Sequence, residues 1–393
     1  MLVEYATSFI VLYTTIFYLL LFASSRKIFH SEPRQLSENQ LPKVSIVIPV
    51  YNEENVIAKT LRSVLALDYP RNKLEIIVVD DESTDKSAEI ISKFKGAGGV
   101  KLIKNKHRGI GKSSALNAGI RSASGELIAT VDADSFPARN ALRKLAAYFV
   151  DKSTVAVTAA IKVHEPRNLW EKIQSIEYLS AILQRRLLSI LDSVNVTPGP
   201  MSLFRASVFD KIGLFDENSL GEDQEMAYRI QSHHYRIVSS TNAEVSTVVP
   251  RKFTDLLRQR VRWYRGGIQN YIKHSKLLGP KYGDLGTFVI PVGIFSVILV
   301  IALFASFLFD IFMKPLDLSL EGLTYSFGPL QIISIAIIIL VLALLVVIRT
   351  VLGDKTSLSL PRIIVFLAIY SYLMAIFWLA AIAEEVTQRK RRW

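Results

Sequence analysis

The chain has 393 residues, 50% of them hydrophobic, with a mean hydropathy of +0.30 and a formal net charge of +12. That length exceeds one ordinary domain, and that hydropathy is high for a purely soluble protein. Cysteine is absent, which excludes disulfides, thiolate metal sites and cysteine nucleophiles.

In chain order, residues 5–25 form the first of four uncharged apolar stretches; the others are 286–309, 322–348 and 363–383. Each is long enough for the ~20 residues with which a helix crosses a bilayer. The first lacks a basic leader, carries Glu4 ahead of it and is followed by Arg26 and Lys27, so a retained anchor is expected rather than a cleaved signal. Basic residues after that span place residues 26 to about 284 on the cytoplasmic side. Three further spans would leave the C-terminus outside, which conflicts with the basic tail Arg389-Lys390-Arg391-Arg392. The acidic loop 314–321 and the basic loop 349–362 support the simple topology, whereas Pro291 and Pro329 mark places where a stretch could break or re-enter. The expected domains are an anchor over 1–28, a cytoplasmic domain over 42–250, an interfacial helix over 251–280 and a membrane region over 285–393.

Within the polar part, Val44-Ser45-Ile46-Val47-Ile48-Pro49 predicts a buried strand, and Asn52-Glu53-Glu54 then opens a helix through about Leu67. Further strands are predicted over 74–79, 100–104 and 126–131, with a helix over 83–94 and a helix end over 117–122. Strands alternate with helices at βαβ spacing, which predicts an α/β fold: a doubly wound, mostly parallel sheet covered on both faces. In such sheets ligands bind beyond the carboxyl ends of the strands. Those ends carry Asn52-Glu53, Asp80-Asp81 and Asp132-Ala133-Asp134, although any one set could equally cap a helix or make a turn.

An amphipathic helix over 169–191 has Leu169, Ile173, Ile176, Leu183, Leu187 and Ile190 on one face and Gln184, Arg185 and Arg186 elsewhere. It could pack on the sheet or lie in the lipid interface. From Arg251 to Lys276 there are eight Lys or Arg against one Asp. That charge flanks the membrane stretches and carries no nucleic-acid-binding signature, so it suits anionic lipid or a phosphate-rich ligand and excludes nucleic acid as the expected partner.

Asp132 and Asp134, two residues apart at a strand end, offer oxygen ligands suited to Mg²⁺ or Mn²⁺. The stretch Arg108-Gly109-Ile110-Gly111-Lys112-Ser113 is not a Walker loop, because Lys106 stands where the first glycine belongs; Arg108 and Lys112 could still approach a diphosphate. Glu222-Asp223 stands at a helix start and could be a cap or a general base. A helix through Phe253, Leu257, Val261, Tyr264 and Ile268 puts Gln259, Arg262 and Trp263 on a second face, leaving Arg258, Arg260 and Arg265 as the expected lipid contacts. Arg262 can fork onto a diphosphate and Trp263 can offer a sugar ring an apolar plate; alternatively the pair is an interfacial anchor.

The order of Asp80-Asp81, Asp132-Ala133-Asp134, Gly221-Glu222-Asp223 and Gln259-Arg260-Val261-Arg262-Trp263 resembles the membrane-integrated members of glycosyltransferase family 2. That group includes cellulose, chitin, hyaluronan and poly-N-acetylglucosamine synthases and ceramide glucosyltransferases, and the likeness covers about residues 42 to 270. The resemblance implies a GT-A-like fold, with Asn52, Glu53, Asp80 and Asp81 at the nucleoside, Lys112 near the diphosphate, and Asp132 and Asp134 holding it through Mg²⁺ or Mn²⁺. It also implies Asp223 as catalytic base beside Glu222. Gln259, Arg262 and Trp263 would sit at the pyrophosphate and acceptor mouth, and Gly199, Ser202 and Arg205 beside the acceptor sugar. The implied reaction is inverting transfer from a nucleotide sugar, with UDP the commonest carrier. Processive β-polysaccharide synthesis is the expected outcome and single transfer to a lipid acceptor the alternative. Four spans are few for a polymer channel, which also raises a homo-oligomer. The remote alternative is a non-catalytic membrane scaffold or transporter component.

Overall fold

The computed structural model describes residues 2–96, 99–105, 111–313, 329–353 and 358–387. Arg108, the 314–321 loop, residues 354–357 of the basic loop and the basic tail from Arg389 lie outside them. Eight strands form one sheet: β1 Val44–Val50, β2 Leu74–Asp80, β3 Val100–Lys104, β4 Leu127–Thr130, β5 Ser135–Pro137, β6 Thr154–Val163, β7 Ser202–Arg205 and β8 Arg236–Thr247. Their spatial order is β3-β2-β1-β4-β7-β6-β8-β5. β1, β2, β3 and β4 are mutually parallel, as the βαβ spacing predicts. β7 runs antiparallel to both β4 and β6, and β6 is parallel to β8.

Because successive side chains point to opposite faces, the apolar runs of β1 and β2 supply two cores. Ile46, Ile48, Ile76 and Val78 bury against Leu61 of helix Ile57–Leu65 and Leu142 and Leu145 of helix Ala141–Ala147. Val47, Ile77 and Val79 bury on the other side with Ala115 and Leu116 of helix Lys112–Ser122 and Met226 and Ile230 of helix Glu222–Ser232. Each such isoleucine contributes on the order of 2 kcal/mol by leaving water.

Helix Leu169–Ile190 packs on β6 and β8 rather than lying free in an interface. Its outer side, with Ile176, Leu179, Ile182, Leu183 and Leu187, meets Leu345, Ile348 and Leu352 of the apolar helix Pro329–Leu352. It is therefore the joint between the sheet and the apolar helices.

Among the described residues, four helices are long and apolar enough to cross a membrane: Glu4–Ser24, Leu285–Ser306, Ile332–Leu352 and Leu360–Val386. Pro291 follows a π-turn over Leu285–Val289 at the start of helix Ile290–Met313, where a missing backbone donor is accommodated, while Pro329 stands at the edge of the described residues.

Candidate active site

The carboxyl ends of β1, β2 and β4 open on one cavity of about 940 Å³, lined by Glu53, Asp81, Asp132 and Asp134 among others. Asn52 is not in the lining. It adopts φ 54°, a left-handed conformation that asparagine tolerates, and its Oδ1 accepts from the Thr84 amide at 2.8 Å, tying the 82–85 turn to the end of β1. Asp80 is also absent from the lining but is buried, and its Oδ1 accepts from the Ser83 amide at 3.3 Å. Asp81 faces the cavity and accepts from Asn105 Nδ2 at 2.7 Å; burial pushes its carboxyl up.

Lys112, at the first turn of its helix, reaches between two chain segments. Its Nζ lies 2.7 Å from Asp132 Oδ1 and 3.2 Å from Glu222 Oε1. Burial opposes its charge, but Asp132, Asp223 and Glu222 outweigh that and hold the ammonium protonated. Glu222 is raised by burial yet held below the usual carboxylate range by Lys112 and Arg262. Its neighbour behaves oppositely. Burial drives Asp223 up to about 7, with Glu222 and Asp132 adding to it, against the pull of Lys112 and of a hydrogen bond from the Gly199 amide to Asp223 Oδ2 at 2.8 Å. Two adjacent carboxylates pushed apart in this way divide into a permanent anion and a group able to take up a proton near neutrality.

Gly199 permits the close approach. A β-carbon there would collide with Lys112 Nζ and lie 2.7 Å from both Asp132 oxygens. Ser202 acts from beneath, its Oγ donating to the Pro198 carbonyl at 2.8 Å. Arg205 departs from expectation. It pairs with Leu127 at the opposite end of β4, and its guanidinium donates to the carbonyls of Thr154 (2.9 Å) and Asp151 (3.0 Å), away from the cavity.

Helix Phe253–Lys273 brings Gln259, Arg262 and Trp263 into the cavity wall. Glycines set its distance: a β-carbon on Gly266 would lie 2.5 Å from the Gly221 amide nitrogen, and Asn270 Nδ2 donates to the Gly221 carbonyl at 2.9 Å. Two arginines expected to meet lipid do not. Arg260 is 1% exposed, pairs with Glu177 Oε2 at 2.8 Å and stacks 4.2 Å from the Trp263 ring, while Arg265 pairs with Glu384 and Glu385 of helix Leu360–Val386. Arg258 remains exposed. A helical wheel gives angular positions but not the neighbour that covers each one.

The cavity wall also includes Glu177, Tyr178, Ala181 and Arg185. Sequence reasoning passed over them because their helix reads as an ordinary amphipathic element, although the 177/181/185 spacing marks one face.

Among the described residues no group of three or more metal-ligating side chains could enclose a metal ion. The donor set nonetheless fits Mg²⁺ or Mn²⁺ shared with a ligand's phosphates, since such ions are commonly held by one or two carboxylates plus phosphate oxygens. Asp134 is pushed up to about 6 by burial and by Asp132, and Glu53 to about 7 by burial, Asp134 and Asp132. This is a cluster of carboxylates short of positive charge.

A mixed, mostly parallel sheet flanked by helices, with acidic strand ends facing a cavity and apolar helices beside it, defines a GT-A-like fold with four candidate membrane helices among the described residues. Residues 45–213 match the model of glycosyl transferase family 2. It is 33% identical over 230 residues to a poly-beta-1,6-N-acetyl-D-glucosamine synthase of Staphylococcus epidermidis, a stretch covering 58% of this chain and 55% of that one. It is 33% identical over 239 residues to the "Probable glycosyltransferase YdaM" of Bacillus subtilis, covering 58% and 56%. The matched stretch thus spans little more than half the length of these curated relatives. A solved mannosyltransferase, PcManGT of Pyrobaculum calidifontis in complex with GDP-Man and Mn²⁺, shares the fold at TM-score 0.67 over 99% of this chain and 100% of that one, with 20% identity.

Proposed function

We propose that the protein is a membrane-bound inverting glycosyltransferase that moves a sugar from a nucleotide sugar to an acceptor hydroxyl, in the synthesis of a β-linked polysaccharide. The observation that carries this reading is the Lys112 bridge. One ammonium contacts Asp132 at the end of β4 and Glu222 beside Asp223, so the diphosphate end and the base end of a transfer site share one cavity. The curated synthases of staphylococci, which match over the same domain, favour a glycan product.

In this reading Glu53 and Asp81 receive the nucleoside, with Asn52 and Asp80 holding their loops. Asp132 and Asp134 would hold Mg²⁺ or Mn²⁺, which when bound neutralises charge on the diphosphate. Asp223 accepts the proton of the acceptor hydroxyl as that oxygen bonds to the anomeric carbon. The bond from that carbon to the diphosphate breaks, and its electron pair leaves with the nucleoside diphosphate, stabilised by Lys112 and Arg262. One displacement inverts the anomer. Trp263 and Gln259 line the acceptor's path. The catalytic domain faces the cytoplasm, on the strength of Arg26 and Lys27 after the first apolar helix.

Purified full-length protein, offered a panel of nucleotide sugars, is expected to release nucleotide from one of them and to build a product that sizes as a ladder on a gel. No release from any donor overturns the reading. A single-addition product would instead select transfer to a lipid acceptor, which is favoured by the packing of the cavity's wall helix against apolar helices.

A further inference from the structure

Two consecutive arginines of helix Leu169–Ile190 meet opposite fates. Arg186 is buried and donates to the carbonyls of Ile28, Phe29, Ser31 and Ser239 at 2.9 to 3.2 Å, clamping the segment after the first apolar helix to the sheet. Arg185 lines the cavity, makes no ion pair among the described residues, and its Nε is buried without a hydrogen-bond partner. Burial holds its guanidinium down to about 10, and Tyr178 is the one group that offsets this. A half-buried cation facing a cavity, with no counter-charge among the described residues, is costly unless a ligand supplies one.

The position argues against the donor diphosphate as that ligand. Tyr178 is within electrostatic reach of both Asp134 and Arg185, and Arg185 stands seven residues further along the helix, a rise of about 10 Å along its axis, on the side of Tyr178 away from Asp134's end of the helix. None of the catalytic carboxylates contributes to its charge state. The neighbouring residue points to the source. Gln184 Nε2 donates to Tyr18 of the first apolar helix at 3.4 Å, so this end of the cavity adjoins the apolar helices.

We propose that Arg185, with the Tyr178 hydroxyl, forms an anion subsite that takes the phosphate of a lipid-linked acceptor, whose sugar hydroxyl is thereby presented to Asp223. The identity of the acceptor rests on the transferase reading; the anion subsite itself does not.

The test is equilibrium binding to the full chain in neutral detergent, without donor. The probes are geranylgeranyl phosphate, geranylgeraniol, inorganic phosphate and a hexuronate oligosaccharide. The prenyl phosphate should bind at least about tenfold tighter than the alcohol, as expected for a charge-assisted contact. R185Q should abolish that preference and R185K should keep most of it. Equal binding of phosphate and alcohol to the unmodified chain overturns the proposal, whatever the variants do, and so does a preference that survives in R185Q. Inorganic phosphate or the hexuronate competing as well as the prenyl phosphate overturns the lipid source in favour of a soluble anion or an acidic glycan. In turnover assays R185Q should raise the acceptor KM and leave the donor KM unchanged. Because binding is read without turnover, R185-dependent binding in a chain that hydrolyses no nucleotide sugar would sink the transferase reading alone.

Discussion

Gly266 packs so closely on Gly221 that a β-carbon built on it would lie 2.5 Å from the Gly221 nitrogen and 2.8 Å from its α-carbon. Two helix backbones thus touch where Glu222-Asp223 must meet Gln259, Arg262 and Trp263. Backbone cannot yield as a flexible side chain can. Gly266→Ala should therefore fold, shift the helix Phe253–Lys273 outward and lower kcat/KM by at least about tenfold, the scale on which misplacement affects catalysis. Unaltered kinetics in a folded variant would show that the spacing is not limiting.

Asp223→Asn keeps the shape and the Gly199 contact but removes the proton acceptor. Transfer should fall by about 10²-fold or more, the usual weight of a general base. Donor binding, followed by titration with the nucleoside diphosphate, should persist. Full turnover in this variant would falsify its assignment as base.

The elevated proton affinity of Asp223 sets a pH dependence with a definite sign. A base must be deprotonated to act, and burial places its midpoint at about 7. Transfer should rise with pH through that region and plateau above it. On the acid side the rate should fall about tenfold per pH unit. A profile flat from pH 5 to 8, taken at saturating donor, would contradict the role.

Arg260 is braced by Glu177 and carries Trp263 on its guanidinium face. Arg260→Met alone leaves Glu177 without its partner and should cost about 3 kcal/mol, whereas the double variant Glu177→Leu with Arg260→Met should recover most of that stability. Activity should not recover with it, because Gln259 and Trp263 have lost their support. Thermal unfolding and acceptor KM, measured on all three proteins, separate the two effects.

On the proposed reading, in which Asp132 and Asp134 hold it, a divalent cation should bind weakly to the free chain and tighten when a nucleoside diphosphate supplies further oxygens. Titration calorimetry with Mn²⁺, with and without UDP, reads this directly. Chelation should stop transfer reversibly, and Asp134→Ala should raise the Mn²⁺ concentration needed to restore it. Equal affinity with and without nucleotide would point to a closed protein site.

The parallel half of the sheet was legible from local pattern, since β-branched runs at βαβ spacing leave few alternatives and each run ends in the residues its strand delivers to the site. β6, β7 and β8 were not read. β8, Arg236–Thr247, is rich in serine and threonine, and its pairing with β6 is set by contacts far apart in the chain. Arg205 shows the same limit, because its direction depended on β7 running antiparallel to β4.

By itself the sequence determined which groups stand where along the chain: carboxylates at strand ends, a lysine at a helix start, and a Gln-Arg-Trp face beside apolar stretches. Those are consequences of periodicity and chain order. Only the tertiary structure decided which cations serve the site and which serve the scaffold. Arg186 and Arg260 are consumed by carbonyls and a carboxylate, while their neighbours Arg185 and Arg262 face the cavity. The reason is physical: a residue's angle on its helix is local, but the group that covers that angle comes from a distant segment.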